Sequence, residues 1–535
     1  MSYNSSGVNR SNIILKATSQ ELALEELYNL SQSLSFLLID DKEKLSQYSF
    51  TCDHPDHLPA IIIFPQSTKQ IIEILKIANF HQINCHTVSR GKNWGYGCSS
   101  PFVANSWIID LSQMNKILEV NEELKYAVVE PGVTQLQLYD FLMTNHPSLR
   151  MDVTGSTPEA SLIGNLSERG YGQSHYGDHF LNSCSMEVIL ADGTIFNTSF
   201  GHYSQSKSQY LYKWGIGPYL DGLFTQSNFG IITKVGIWLM PKPEFESVLF
   251  LEIDSDSALG EVVKELRDLK LSGLLPSTIH IANDIRVISS FQQFPFEQAS
   301  SQNFLTNDEI AQLSAKWLVK KWNCFTIING HRERVLADQR KISESLQGNC
   351  KVSFVDEPLK RTDANEKIVT LYNLLTGRPS VRPSLGPYWR KKNPAKVPYD
   401  PPRDKCGIIW CAPIIPSTSK DIANLISLVR GLMNTFSIDT NITISLISDR
   451  ACCATIAIVF DKENEQETNN AHTCYKATLS ELVRLGYIPY RHGINIDDGI
   501  NLIFNEDDSY WEVCRRIKNC IDPMHILSPG KYGIY

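Results

Sequence analysis

The sequence predicts an α+β fold divided among more than one domain. Its 535 residues exceed one ordinary core, and 42% hydrophobic residues suffice to fill two or three. Ala60 to Phe64, a helix capped by Ser67 (Ile71, Ile72, Leu75 and Ala78 on one face) and Ile83 to Val88 form a β-α-β pattern. Pro241-Lys242-Pro243 then ends the strand Ile231 to Leu239 and marks a domain boundary.

The remaining elements follow in chain order. Leu22 to Leu37 has apolar residues at helical spacing and reads as an entry helix. The strand ending at Val88 runs into Arg90-Gly91-Lys92-Asn93-Trp94-Gly95-Tyr96-Gly97, a glycine-rich loop whose N–H groups and two cations suit a pyrophosphate. Ser106 to Leu111 and Tyr126 to Glu130 read as strands, and Thr134 caps a helix through Leu142. Past the boundary, strand-like runs (Ser247 to Ile253, Thr278 to Ile281) alternate with helical ones (Ala258 to Leu269, Asp308 to Trp322). Gly377 to Lys405, with seven prolines, reads as a long loop, and Trp511 to Cys520 as a final helix.

Met151 to Gly193 is the most informative stretch. Thr154 to Gly164 is crowded with small residues that let backbone amides approach a polyanion, and Ala160 to Glu168 reads as a short helix presenting its positive end there. Glu187 to Leu190 and Thr194 to Thr198, joined by Asp192-Gly193, read as a hairpin. The same stretch is compatible with a structural loop whose glycines only make turns.

Composition narrows the classes. A net charge of −8 and a pI near 5.9, with only Trp389-Arg390-Lys391-Lys392 as a basic run, argue against nucleic acid. The N-terminus lacks a signal-peptide core and no apolar run spans a membrane, so a cytoplasmic protein without membrane contact is expected. Thirteen cysteines without paired spacing fit a reducing compartment. Cys452-Cys453, Cys514 with Cys520, and His175 with His179 repeat no metal motif, so buried thiols and no metal are expected. No P-loop or Rossmann glycine motif occurs.

RGKNWGYG (90–97), VVEPGV (128–133), GNLSERGYGQSHYGDHF (164–180), KWGIGPYLDGLFTQSNFGIITKVGIWLMPKP (213–243), YR (490–491) and DPMHILSPGKYGI (522–534) occur in one order along the chain. Together they resemble the vanillyl-alcohol oxidase / p-cresol methylhydroxylase flavoprotein family. The resemblance implies a two-subdomain FAD-binding domain over 1–243, an α+β substrate cap over 244–500, and a tail, 501–535, returning to the FAD domain. It implies FAD contacts at Arg90, Gly91, Lys92, Asn93, Trp94, Gly95 and Gly97, at Pro131, and at Gly155, Ser156, Ser161, Gly164 and Asn165. Further contacts are implied at Gly170, Tyr171, Gly172, Tyr176, Gly177, Gly230 and Ile231. Lys531 matches a basic residue near the flavin pyrimidine, His57 a histidine near the flavin, and Tyr388 a tyrosine that links the flavin covalently.

In that family two tyrosines and an arginine bind the substrate's phenolic oxygen as phenolate; here they match Tyr96, Tyr490 and Arg491. Such a trio assists hydride loss from the benzylic carbon para to the oxygen, forming a quinone methide. Read without the resemblance, Tyr490-Arg491 is better taken as a strand pair making a surface ion contact. The cap departs from the family pattern, with Cys453-Ala454 at a His-His pair and Ala457 and Ser384 at two acids. Loss of acid–base groups favours dehydrogenation or desaturation over hydroxylation, and the small side chains leave room for a bulky para substituent. The expected partners are a phenol and either dioxygen or a cytochrome-like acceptor, with the protein a homodimer. Two other readings stay open: oxidation of a non-phenolic alcohol or sugar, and a catalytically silent flavin-binding protein.

Overall fold

The computed structural model describes residues 10–53, 57–357, 366–393, 396–493, 503 and 508–535, with side chains described from residue 19 onward. A four-stranded sheet comes first, in the order Leu37–Ile39, Ile61–Phe64, Trp107–Asp110, Cys85–Val88. Ile61–Phe64 and Cys85–Val88 run parallel to each other, as the β-α-β pattern requires, but Trp107–Asp110 lies between them. Helix Thr68–His81 connects them, its N-terminus closed by the Ser67 side chain, which accepts from Gln70 N. The entry helix is longer than the periodicity indicates, Arg10–Leu34, and it packs on that crossover helix.

A five-stranded antiparallel sheet follows, in the order Ile117–Asn121, Tyr126–Val129, Ile231–Trp238, Ser183–Ile189, Ile195–Asn197. The hairpin at Asp192-Gly193 turns with Gly193 at φ +85°, and Thr134 caps helix Gln135–Asn145. The short helix expected over Ala160 to Glu168 spans only Leu162–Ser167, because the Ser161 side chain already accepts from Gly164 N at 2.9 Å and sets the start. Near the chain's end, Cys85 N donates to Ile526 O and Ser528 N to Cys85 O, so the C-terminal segment adds to the first sheet's edge.

The remaining sheet is antiparallel, running Lys351–Val355, Phe245–Ile253, Trp322–Gly330, Ile279–Asn283, Ile442–Leu446, Ala451–Asp461, Cys406–Cys411, with Ile414–Pro416 also on Ala451–Asp461. Its strand period of two separates two environments. Ile279, Ile281, Cys324, Ile442, Ile444, Ala454 and Ile456 face a core closed by helices Asp256–Leu271, Ser419–Thr435 and Glu465–Arg484. His280, Ala282, Phe325, Thr443, Ser445 and Thr455 face the large cavity.

Three expectations are corrected here. The helix over Asp308 to Trp322 is Asn307–Trp317; Leu318 is left-handed (φ 51°) and Trp322 opens a strand, its ring fully buried. The run Ile444 to Phe460 around Cys453-Ala454, which reads along the sequence as a single cap strand, belongs to two strands, paired through Ser445 and Cys453. Ala454 does not enlarge the cavity: it is one residue from Cys453 on a strand, so it points into the helix-covered core.

Candidate functional site

A cavity of about 490 Å³ lies between the two glycine-rich loops and the inner face of the antiparallel cap sheet. The first loop forms its wall through Arg90, Gly91, Lys92, Asn93, Trp94 and Tyr96. Gly95 stands at φ +78°, and a Cβ there would sit 2.5 Å from the Trp410 ring, so glycine alone lets that indole lie against the loop and donate Nε1 to Trp94 O at 3.0 Å. From the second stretch, Gly155, Ser156, Ser161, Gly164, Asn165, Gly170 and Tyr171 line the cavity, with Pro131, Gly230, Ile231 and Lys531. Glycine at 164 keeps the backbone open, since a Cβ there would sit 2.5 Å from Ser89 Oγ.

The other implied contacts lie behind this surface. Gly97 N donates to Asp53 Oδ1 at 3.2 Å, which anchors the first loop from beneath. Gly172 N donates to Gly177 O, closing a turn that also holds Tyr176. His57 Nδ1 lies 3.0 Å from Pro101 O. Tyr388 is buried in a small cluster with Leu385 and Cys406, its hydroxyl donating to Asp404 Oδ2 at 2.6 Å and accepting from Asp400 N at 2.9 Å, while its neighbours Ser384 and Pro387 line the cavity. His179 lies 2.8 Å from Asp152 and 2.6 Å from Asn165, and no group of three or more metal-ligating side chains occurs among the described residues.

Tyr96, Tyr490 and Arg491 converge although 394 positions separate the first from the second in the chain. The Arg491 guanidinium sits 4.0 Å from the centre of the Tyr96 ring, and its Nη2 donates to Asn93 Oδ1 at 2.6 Å. The surface-contact reading of Tyr490-Arg491 is overturned, since the Arg491 side chain is 9% exposed. Burial, and then Tyr490, hold the Tyr96 hydroxyl well above its ordinary range. Burial likewise pushes Tyr490 up to about 12, against the pull of Arg491. Both tyrosines therefore stay protonated hydroxyl donors at neutral pH.

Sequence reasoning missed Glu168, whose signal was present in the block SERGYG. It lies 2.8 Å from Lys531 Nζ and 3.7 Å from Arg491 Nη2, and it accepts from Tyr532 Oη. Burial raises its pKa, but Lys531 and then Arg491 outweigh that, and the net shift is downward. Lys531 therefore does not stand as a free cation. The cavity is also not bare of histidines: burial lowers His280 to about 4 and His86 to about 3, so both are neutral. Cys453 is fully buried, with its sulfur 3.9 Å from Thr455 Oγ1, and burial pushes its thiol up to about 11.

This geometry defines an FAD-linked oxidoreductase. Residues 59–199 match the FAD binding domain and residues 415–532 the C-terminal domain of FAD linked oxidases. The chain is 33% identical over 510 residues to 1'-carboxy-chondrochloren decarboxylase of Chondromyces crocatus, covering 92% of this chain and 94% of that protein. It is 29% identical over 483 residues to the flavoprotein subunit of 4-cresol dehydrogenase [hydroxylating] of Pseudomonas putida, covering 89% and 88%. Among solved structures, substrate-bound p-cresol methylhydroxylase superposes with a TM-score of 0.88 at 26% identity over 97% of both chains. The 4-ethylphenol oxidase of Gulosibacter chungangensis superposes with the same score and identity, over 97% of this chain and 98% of that one. The chain belongs to the vanillyl-alcohol oxidase / p-cresol methylhydroxylase family and binds FAD. The site fits that cofactor: the cavity is walled by glycine loops, and Arg491 Nε and Gln173 Oε1 on its surface are buried without hydrogen-bond partners among the described residues. No described helix is long and apolar enough to cross a membrane.

Proposed function

We propose that the protein oxidises a para-substituted phenol at its benzylic carbon. The observation that carries this reading is the buried Arg491 guanidinium 4.0 Å from the Tyr96 ring, with Nε free to take a new acceptor. Arg491 and the hydroxyls of Tyr96 and Tyr490 hold the phenolic oxygen as phenolate, and Glu168 keeps Arg491 and Lys531 in place. FAD, when bound, accepts the hydride. Electron density from the phenolate drives that loss and leaves a para-quinone methide. Water capture at its benzylic carbon is poorly assisted, because both ring nitrogens of His280 are already engaged, Nδ1 2.8 Å from Ser445 Oγ and Nε2 3.3 Å from Gly172 O, and burial makes the imidazole a weak base. The favoured ending is therefore desaturation, in which the adjacent side-chain carbon gives up a proton and the ring regains its phenol.

The Chondromyces crocatus relative is called a decarboxylase, and the same intermediate supports that ending. A carboxylate on the carbon beside the benzylic one leaves as CO2, its electron pair forming the side-chain double bond as the ring returns to phenolate. Dioxygen or a cytochrome-like protein completes the cycle as electron acceptor, and the active species is a cytoplasmic homodimer. Covalent FAD attachment through Tyr388 belongs to the same reading and requires the hydroxyl to exchange Asp404 for the flavin. It is supported if wild type keeps its yellow colour through acid precipitation while Tyr388→Phe loses it, and overturned if wild type releases FAD.

The decisive experiment mixes the yellow protein anaerobically with para-alkyl phenols and with their O-methyl ethers while following the oxidised flavin band. Bleaching by the phenols alone supports the phenolate mechanism. Equal bleaching by the ethers, or by alcohols and sugars, overturns it.

A further inference from the structure

We propose that Arg286 binds a carboxylate on the para side chain of the substrate, so that the molecule is held between two arginines. This rests on the phenol reading above, which places the substrate's oxygen at Arg491. Among the described residues six Lys and Arg side chains line the cavity, and five have a carboxylate partner within the protein: Arg90 with Glu159 at 3.0 Å, Lys92 with Asp400 at 3.7 Å, Arg382 with Glu366 at 2.8 Å, and Arg491 and Lys531 with Glu168. Arg286 is the sixth, and among the described residues no carboxylate pairs with it.

The side chain is nonetheless well positioned. It leaves the short helix Asp284–Ile288, whose first turn is fixed by Asn283 accepting from Arg286 N at 3.2 Å. Its Nη2 donates to Pro383 O at 3.0 Å, and its guanidinium lies 5.8 Å from the centre of the Trp410 ring. Glycine at 386 leaves space for the fork, since a Cβ there would sit 2.9 Å from Nη1. One carbonyl and one ring face do not neutralise a half-buried cation, whose partial desolvation without a counter-ion is costly. Burial lowers its pKa to about 10, with Tyr171 opposing, so the charge persists at neutral pH.

Its location points to substrate. Arg286 lines the same cavity as Tyr171 and Tyr490, whose rings lie 6.1 Å apart, so it shares one enclosed space with the phenolate trio. Arg90 and Lys92, the cations suited to pyrophosphate, come instead from the first glycine loop. A planar guanidinium with open N–H groups matches a carboxylate through two parallel hydrogen bonds.

The test uses the FAD-loaded protein and 4-hydroxyphenyl acetate, propanoate and butanoate, each against its primary amide. Binding is read anaerobically from perturbation of the flavin spectrum, and reduction from its bleaching. At the best-fitting chain length, wild type should bind the acid about 10- to 100-fold tighter than the amide. Arg286→Met should bring that ratio near one, and Arg286→Lys should keep part of it, which also covers a Met variant that does not fold. Amides binding as tightly as acids at every length overturn the proposal, as does an unchanged preference in the variants. Loss of FAD from a folded Arg286→Met protein would assign the arginine to the cofactor and also overturn it. Arg286-dependent binding of acids with no bleaching by any phenol would separate failure of the phenol reading from failure of this one.

Discussion

Arg491 and Arg286 are both arginines lining one cavity, and their surroundings push them in opposite directions. Burial lowers both, but at Arg491 the pull of Glu168, and then of Tyr490, reverses the sign and the net shift is upward. At Arg286 no acid opposes burial and the guanidinium falls to about 10. A cation with a resident counter-ion is prepared to share its charge with a transient anion such as a phenolate. A cation without one awaits a permanent anion.

Breaking the Arg491 side should have the largest effect. Arg491→Met removes the principal phenolate donor and should slow flavin reduction by para-alkyl phenols about 10²- to 10³-fold in single-turnover stopped flow. Next comes Glu168→Gln, which leaves the buried Arg491 and the part-exposed Lys531 without their shared carboxylate and should cost about 1–3 kcal/mol in thermal or denaturant unfolding. A variant as stable as wild type would show that Glu168 is dispensable to the pair.

A pH profile sharpens the comparison from beneath the loop. Asp53, which anchors Gly97, is raised to about 7 by burial, against the pull of the Gly97 N–H. The folded state then holds a proton that the unfolded chain releases near pH 4, so the stabilisation is full below about pH 4 and is lost as pH rises through 7. Asp53→Asn should flatten that part of the stability curve, measured by unfolding at fixed temperature between pH 5 and 8. The smallest effect is expected from Trp410→Phe, which keeps a ring beneath Arg286 but loses the bond from Nε1 to Trp94 O, at about 1 kcal/mol in the same assay.

Legibility in the sequence followed range. Caps at Ser67 and Thr134, the hairpin at Gly193 and both glycine loops were readable because each is decided by residues a few positions apart. That Tyr96, Tyr490 and Arg491 share one cavity was suggested only through resemblance, since nothing local connects Tyr96 to Arg491. Ala454 was placed in the cavity although strand alternation sets it opposite Cys453. Glu168 sat unremarked inside a quoted motif, because an acid's role depends on which cations fold back onto it.

The sequence by itself determined most of the elements, the family and the two glycine-rich loops, because backbone geometry, turn chemistry and capping are short-range. Only the tertiary structure decided the charges: that Lys531 is neutralised by Glu168 across 363 positions, that the Tyr388 hydroxyl is held by Asp404 behind the cavity wall, and that Arg286 faces the cavity without a counter-ion. The physical reason is that the cost and the use of a buried charge depend on what surrounds it in space, and spacing along the chain does not specify that.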